Sequence, residues 1–276
     1  MTGIFALSSA ALFGVGDFMG GLAARRATPL RVTALAQLVS IVVLVPLVLV
    51  VPAAVVTRSD VAWGAVGGVF GMLGILGLYT ALGRGPMGVI APITAVLGAV
   101  VPVIVGLIAG ERPEALAMVG VLLGLVAVGW VSAGSGPSRP IDRYALLPAL
   151  MAGIGFGLFF VCLAQTDEAA GMWPLAAARA VSIPVAVALA ARTGSVLPVR
   201  PARPLAGGAG AVDMLANGFY VAAAQRGLLS IVAVLSALYP IGTVLLARIV
   251  LGERLSRGQI AAVVVAVTAV ALIGVT

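Results

Sequence analysis

Histidine and lysine are absent from this 276-residue chain, cysteine occurs once, and charged residues make up 9% of it. Each shortage excludes something. With no His and Cys162 alone, neither a His/Cys metal cluster nor an internal disulfide can form, and Cys162 reads as a small packing residue. A soluble domain carries roughly 25% charged residues because its surface faces water. A chain that is 62% hydrophobic therefore excludes a water-soluble fold. The sixteen basic residues are all Arg, scattered singly or in pairs, so no basic stripe exists to follow a nucleic acid. The opening MTGIFALSSA lacks a basic n-region and reads as the start of a first span, not as a signal peptide.

What is present is a series of apolar blocks. A helix rising about 1.5 Å per residue needs about 20 apolar residues to cross a hydrocarbon core of roughly 30 Å. Barrel strands would alternate in polarity, and Ile41 to Val51 do not. Breaking the chain at charged and Pro/Gly-rich stretches gives helical spans near 3–22, 30–52, 61–82, 87–109, 114–133, 144–165, 172–192, 205–225, 228–250 and 256–275. The least hydrophobic break, GSGPSRPIDR at 134–143, leaves five spans on each side and serves as a linker between units 1–133 and 144–276.

The two units match. Gly110-Glu111-Arg112 and Gly252-Glu253-Arg254 each close an apolar span, 142 residues apart. At the same offset Thr94 falls on Ser236 and Ser40-Ile41 on Ser182-Ile183; with one residue less, Gly14-Val15-Gly16 falls on Gly155-Phe156-Gly157 and Tyr79 on Tyr220. A five-helix unit has been duplicated. Because five is odd, the second copy is expected upside down relative to the first, as in inverted-repeat secondary transporters, whose substrate sites lie near the midplane. The expected fold is thus all-α, with ten transmembrane helices in two inverted repeats. Glycines four apart (Gly16/Gly20, Gly64/Gly68, Gly67/Gly71, Gly106/Gly110, Gly120/Gly124, Gly153/Gly157) let helices pack closely, within one bundle or across a homodimer. Pro92, Pro102, Pro184 and Pro240 are hinge candidates.

An ionisable side chain at the centre of a span costs about 2.5 to 3.5 kcal/mol on insertion scales, so each is a functional candidate. Asp17, Arg179 and Asp213 stand deep in spans. Counting along the helices puts Asp17 about 14 residues from one face and Asp213 about 8 from the other, at similar depth, with Gln37 beside them. Arg179 occupies the repeat position of Gln37, and Asn217 lies one turn from Asp213. Spans 1, 2, 7 and 8 are thus expected to present Asp17, Gln37, Arg179, Asp213 and Asn217 to a common cavity. Arg179 either pairs with one Asp structurally or favours an anionic or zwitterionic solute. With no His or Lys, a proton carried through the membrane on a side chain uses Asp17 or Asp213. Asp17 is preferred, having no cationic neighbour in its own span.

The third spans and the segments after them, GLYTALGRGPMGVIAPITA and GFYVAAAQRGLLSIVAVLSA, together with GER closing spans 4 and 9, resemble the EamA-type branch of the drug/metabolite transporter superfamily. The likeness covers nearly the whole chain and is most specific from Tyr79 to Glu111-Arg112 and from Tyr220 to Glu253-Arg254. It implies a central cavity between two inverted repeats, transport of small metabolites (commonly amino-acid export), and no enzymatic activity or cofactor. It adds Tyr79 and Tyr220 to the candidate site. A bacterial inner membrane is the expected location, with small solute, lipid and protons as partners, for a monomer or homodimer. Members typically carry Trp-Gly in span 1; here Phe13-Gly14 stands instead, followed by Asp17.

The resemblance implies cytoplasmic termini, whereas eleven Arg in the odd-numbered loops against three in the even-numbered ones place both termini outside by the positive-inside rule. Two other functions compete. Gly14-Val15-Gly16-Asp17 matches the GxGD string of intramembrane aspartyl proteases, with Asp213 as partner carboxylate, but the order along the chain is reversed. A non-transporting or lipid-translocating membrane protein is the other alternative. A dinucleotide site fails because no strand precedes the glycines.

Overall fold

A computed structural model describes residues 2–85, 87–133 and 143–251, with positions 258, 261, 264, 265, 268, 269 and 272. No strand occurs among the described residues. The helices are α1 (Thr2–Ala24), α2 (Pro29–Val50), α3 (Arg58–Arg84), α4 (Met87–Ile108), α5 (Ala115–Ala133), α6 (Arg143–Ala164), α7 (Trp173–Ala191), α8 (Arg203–Ala224), α9 (Leu229–Ser236) and α10 (Tyr239–Leu251). Among the described residues, six stretches are long and apolar enough to cross a membrane: α1, α2, α3, α7, Tyr144–Ala164 of α6, and Leu229–Val250.

The expected ninth span, 228–250, is the one that departs from the sequence reading. It is two helices, α9 and α10, separated at Ala237 and Leu238. Pro240 explains the break: it has no N–H to donate and its ring clashes with the carbonyl one turn back. The chain tightens there, Leu238 N–H donating to Leu235 O (3.3 Å) and Ile241 N–H to Leu238 O (3.1 Å). At Pro92, Pro102 and Pro184 the helix continues. The tenth span lies largely outside the described residues, as do Gly252-Glu253-Arg254 and the linker up to 142; the described positions from 258 to 272 are helical.

The surface is apolar where a soluble protein would be polar. Ile108 (81% exposed), Val50 (77%) and Ile249 (76%) face outward, while the interior is rich in Ala, Gly and polar groups. Lipid tails are as apolar as Leu, so helices associate by close backbone packing at small residues. A Cβ on Gly68 would stand 2.3 Å from the Ala178 carbonyl oxygen, and one on Gly210 would stand 1.9 Å from that of Ala36. These two contacts, α3 on α7 and α8 on α2, are images of each other: 68 and 210, like 36 and 178, are 142 apart. Gly64, Gly67, Gly153 and Gly157 likewise face other helices of the same chain.

Alternate connections meet at opposite ends. At one end Asp60, capping α3 with Thr57, accepts from Asp167 N–H (2.9 Å). At the other, Arg31 donates to Thr193 (3.1 Å) and Arg84 to the Tyr144 carbonyl (3.4 Å). The Gly-Glu-Arg turn after α4 also belongs to the first end. Gly110, at φ +98°, ends the helix with Glu111 N–H donating to Gly106 O (3.0 Å) and Gly110 N–H to Leu107 O (3.2 Å), a Schellman closure that favours glycine. Glu111 is thereby aimed at the start of α9, where its carboxylate accepts from Leu229 N–H (2.6 Å), Ser230 N–H (3.0 Å) and the Ser230 hydroxyl (2.6 Å). A carboxylate from the first half thus caps a helix of the second.

Gly68→Ala and Gly210→Ala should each destabilise the protein by about 1–3 kcal/mol, read as a lower midpoint of thermal unfolding in detergent, whereas Gly3→Ala, with nothing within 4 Å of its Cβ position, should be silent. Glu111→Ala should cost about 0.5–2 kcal/mol through loss of the cap, with protection from amide exchange lost first in α9; unchanged exchange there would contradict the capping role.

Candidate functional site

Close packing of α1 on α8 creates the site. A Cβ on Gly16 would lie 3.5 Å from Ala209 O and 3.6 Å from Asp213 N, so α1 runs against the backbone of α8 and brings Asp17 to the cavity that Asp213 lines. One turn further, Gly20 leaves room for the Tyr79 ring, which a Cβ there would meet at 2.2 Å. Three adjoining spaces result. One, about 360 Å³ counted together with its open mouth, is lined by Phe13, Asp17, Phe156, Phe160, Asp213 and Tyr239 among others. Sharing Phe13, Phe156, Phe160 and Asp213 with it, the second (about 290 Å³) adds Gln37, Arg179 and Asn217. Tyr79 lines the third with Gln37, Arg179 and Asp213 (about 190 Å³).

Arg179, 5% exposed, pairs with Asp213: Nη2 stands 2.9 Å from Oδ2. Its Nε donates to the Ser40 hydroxyl (3.1 Å), which itself donates to the Gln37 carbonyl (2.6 Å). Ser182 in turn donates to Gln37 Oε1 (3.3 Å). The pattern is two-fold: each half's residue at position 37 or 179 bonds the other half's at 182 or 40, and both pairs are 142 apart. Asn217 Nδ2 donates to the Asp213 carbonyl (2.8 Å) and to its carboxylate (3.1 Å). Both partners are acceptors, so the amide oxygen of Asn217 must point away; it has no hydrogen-bond partner among the described residues.

Asp17 stands apart. Its residue is 7% exposed, and no hydrogen bond or ion pair reaches its carboxylate among the described residues. The Tyr239 hydroxyl, buried on the same cavity, is also without a partner among them.

A scan of family models matches the EamA-like transporter family twice, over residues 1–133 and 143–275. The chain belongs to the EamA-like transporter family. A crystal structure of another protein, 21% identical, covers 96% of this chain and 98% of its own with a TM-score of 0.67, and so has the same fold. No curated protein matches the chain.

Of the seven residues singled out by sequence, Asp17, Gln37, Tyr79, Arg179, Asp213 and Asn217 line these spaces. Tyr220 stands behind them, stacked on Phe160 at a centroid distance of 4.2 Å, with its hydroxyl donating to the Phe160 carbonyl (3.4 Å). Sequence reasoning missed the aromatic wall. Phe13 lies 5.8 Å from Phe160 and 6.3 Å from Tyr239, and Phe156 lies 6.5 Å from Phe160. The available signal was local: three of the eight Phe fall within residues 156–160. The cavity also joins repeat equivalents, Gly71 with Asp213 and Ile75 with Asn217, as well as Gln37 with Arg179.

A guanidinium keeps its proton, so removing Asp213 strands a buried charge. Asp213→Leu alone should cost about 3–5 kcal/mol, and Arg179→Leu with Asp213→Leu distinctly less. Thermal unfolding of both variants in detergent, with fully additive losses as the contrary result, checks this.

Proposed function

We propose that this EamA protein is a secondary active transporter that moves a small organic solute, coupled to protons, through the cavity between two inverted five-helix repeats, ten spans in all. The observation that carries the coupling is the isolation of Asp17. An unpaired carboxylate in a water-poor interior is costly unless a proton or a bound cation neutralises it. Arg179 does not serve, because Asp213 and Ser40 already occupy it. Asp17 is therefore the group that loads and releases the proton, in a cell membrane, such as the bacterial inner membrane.

The protease alternative is disfavoured by the same pair. Water activation by two carboxylates needs them to share a proton, whereas Asp213 is in an ion pair with Arg179 at 2.9 Å. A lipid-translocating or non-transporting role predicts no exchange of small solutes.

Asp17→Asn should abolish pH-gradient-driven solute exchange in proteoliposomes by at least about tenfold while leaving insertion and unfolding midpoint intact. Full driven exchange by the variant would move the coupling role to Asp213.

A further inference from the structure

We propose that the solute is an apolar organic monocation, an ammonium group on a hydrophobic and preferably aromatic body, held by Asp17 against the rings of Phe13, Phe156, Phe160 and Tyr239. This deepens the transport reading above and rests on it.

Charge comes first. Three ionisable side chains face the adjoining spaces, and Arg179 and Asp213 cancel in their 2.9 Å pair. What remains is one carboxylate, that of Asp17. Of the fully buried side-chain atoms with no hydrogen-bond partner among the described residues, the two on these spaces suit a donor as the Asp17 carboxylate does: Asn217 Oδ1 only accepts, and the Tyr239 hydroxyl can do so. A solute that supplies N–H donors and one positive charge satisfies all three. An anion would face Asp17 unshielded. The expectation of an anionic or zwitterionic solute, which rested on a free Arg179, loses its basis.

The wall then selects the body of the cation. Four aromatic rings line the space that Asp17 occupies, linked in the order Tyr239, Phe13, Phe160, Phe156 by centroid separations of 6.3, 5.8 and 6.5 Å. Ring faces attract a cation within about 6 Å of the centroid, and more so when it is desolvated. A hard inorganic cation needs about six oxygen ligands; beyond Asp17, the Tyr239 hydroxyl and the Asp213 carboxylate already paired with Arg179, the rest of this wall is Ala95, Gly98 and Ala237, whose side chains offer none. The glycine and alanines leave the rings as the largest apolar contact.

The test uses four compounds with the same ring and a similar chain: phenethylammonium, phenylalanine, 3-phenylpropionate and 2-phenylethanol. Binding of each radiolabelled compound to the full-length protein in detergent is measured at pH 7. Phenethylammonium should bind roughly tenfold or more tightly than the other three. In Asp17→Asn that preference should collapse to the level of 2-phenylethanol. Phe156→Leu, which keeps the charge, should weaken phenethylammonium roughly 2- to 30-fold while preserving the order of the series. Equal or tighter binding of phenylalanine or 3-phenylpropionate overturns the assignment, as does failure of phenethylammonium to bind. Proteoliposome exchange separates the two readings: exchange of phenylalanine without phenethylammonium sinks the substrate class and keeps the transporter, and exchange of no solute sinks the transporter.

Discussion

The guanidinium of Arg179 is the constraint around which the interior is arranged. It cannot shed its charge, so inside a membrane it must be matched in place. Asp213 on α8 supplies the countercharge and Ser40 on α2 takes the remaining ε donor. Three helices from both halves are thereby fixed to one side chain. Asn217 is oriented by the same carboxylate, which turns its amide oxygen outward. Since Arg179 takes Asp213 and not Asp17, the second acid is left without a partner among the described residues, and its isolation is a consequence of the first pairing.

Two-fold symmetry supplies the frame, and departures from it supply the chemistry. Ala36 on Gly210 and Ala178 on Gly68 hold equivalent helix pairs at the same close approach. Where the cavity opens, equivalent positions differ in kind: Gly71 against Asp213, Ile75 against Asn217, Gln37 against Arg179. At these three pairs the second half contributes Asp213, Asn217 and Arg179 where the first contributes a small, an apolar and a neutral residue. A symmetric pocket would carry either two guanidinium groups or none.

Much of this was legible in the chain. Apolar length pointed to helices long enough for a membrane, the 142-residue offset to a repeat, and counting from the span ends to a shared depth for the polar residues. Depth along a helix is set by a rise per residue and needs no partner. Facing direction does need one. Whether Arg179 would meet Asp17 or Asp213 depended on which helices are neighbours, and Phe13, Phe156 and Phe160 follow the helical spacing of ordinary core residues. Glu111 is a further case: its motif was visible as a repeat, but a cap on α9 from 118 residues away lies beyond any local signal.

The broken ninth span joins these threads. An irregular backbone inside a membrane is tolerated where it is covered by protein or lines a cavity. Ala237 and Tyr239, on either side of Leu238, line the space that Asp17 occupies. Their counterpart is unbroken: Ala95, equivalent to Ala237, lies within α4, and Gly98 stands where the second half has Pro240. Glycine keeps its N–H and proline does not, so at this position the second half lacks a backbone donor that the first retains. The break turns the span into a short rod, capped at one end by Glu111 and ending at the cavity wall at the other. The chain thus places a helix break and a carboxylate that is unpaired among the described residues in contact with the same space, and the asymmetry of the side chains extends to the main chain.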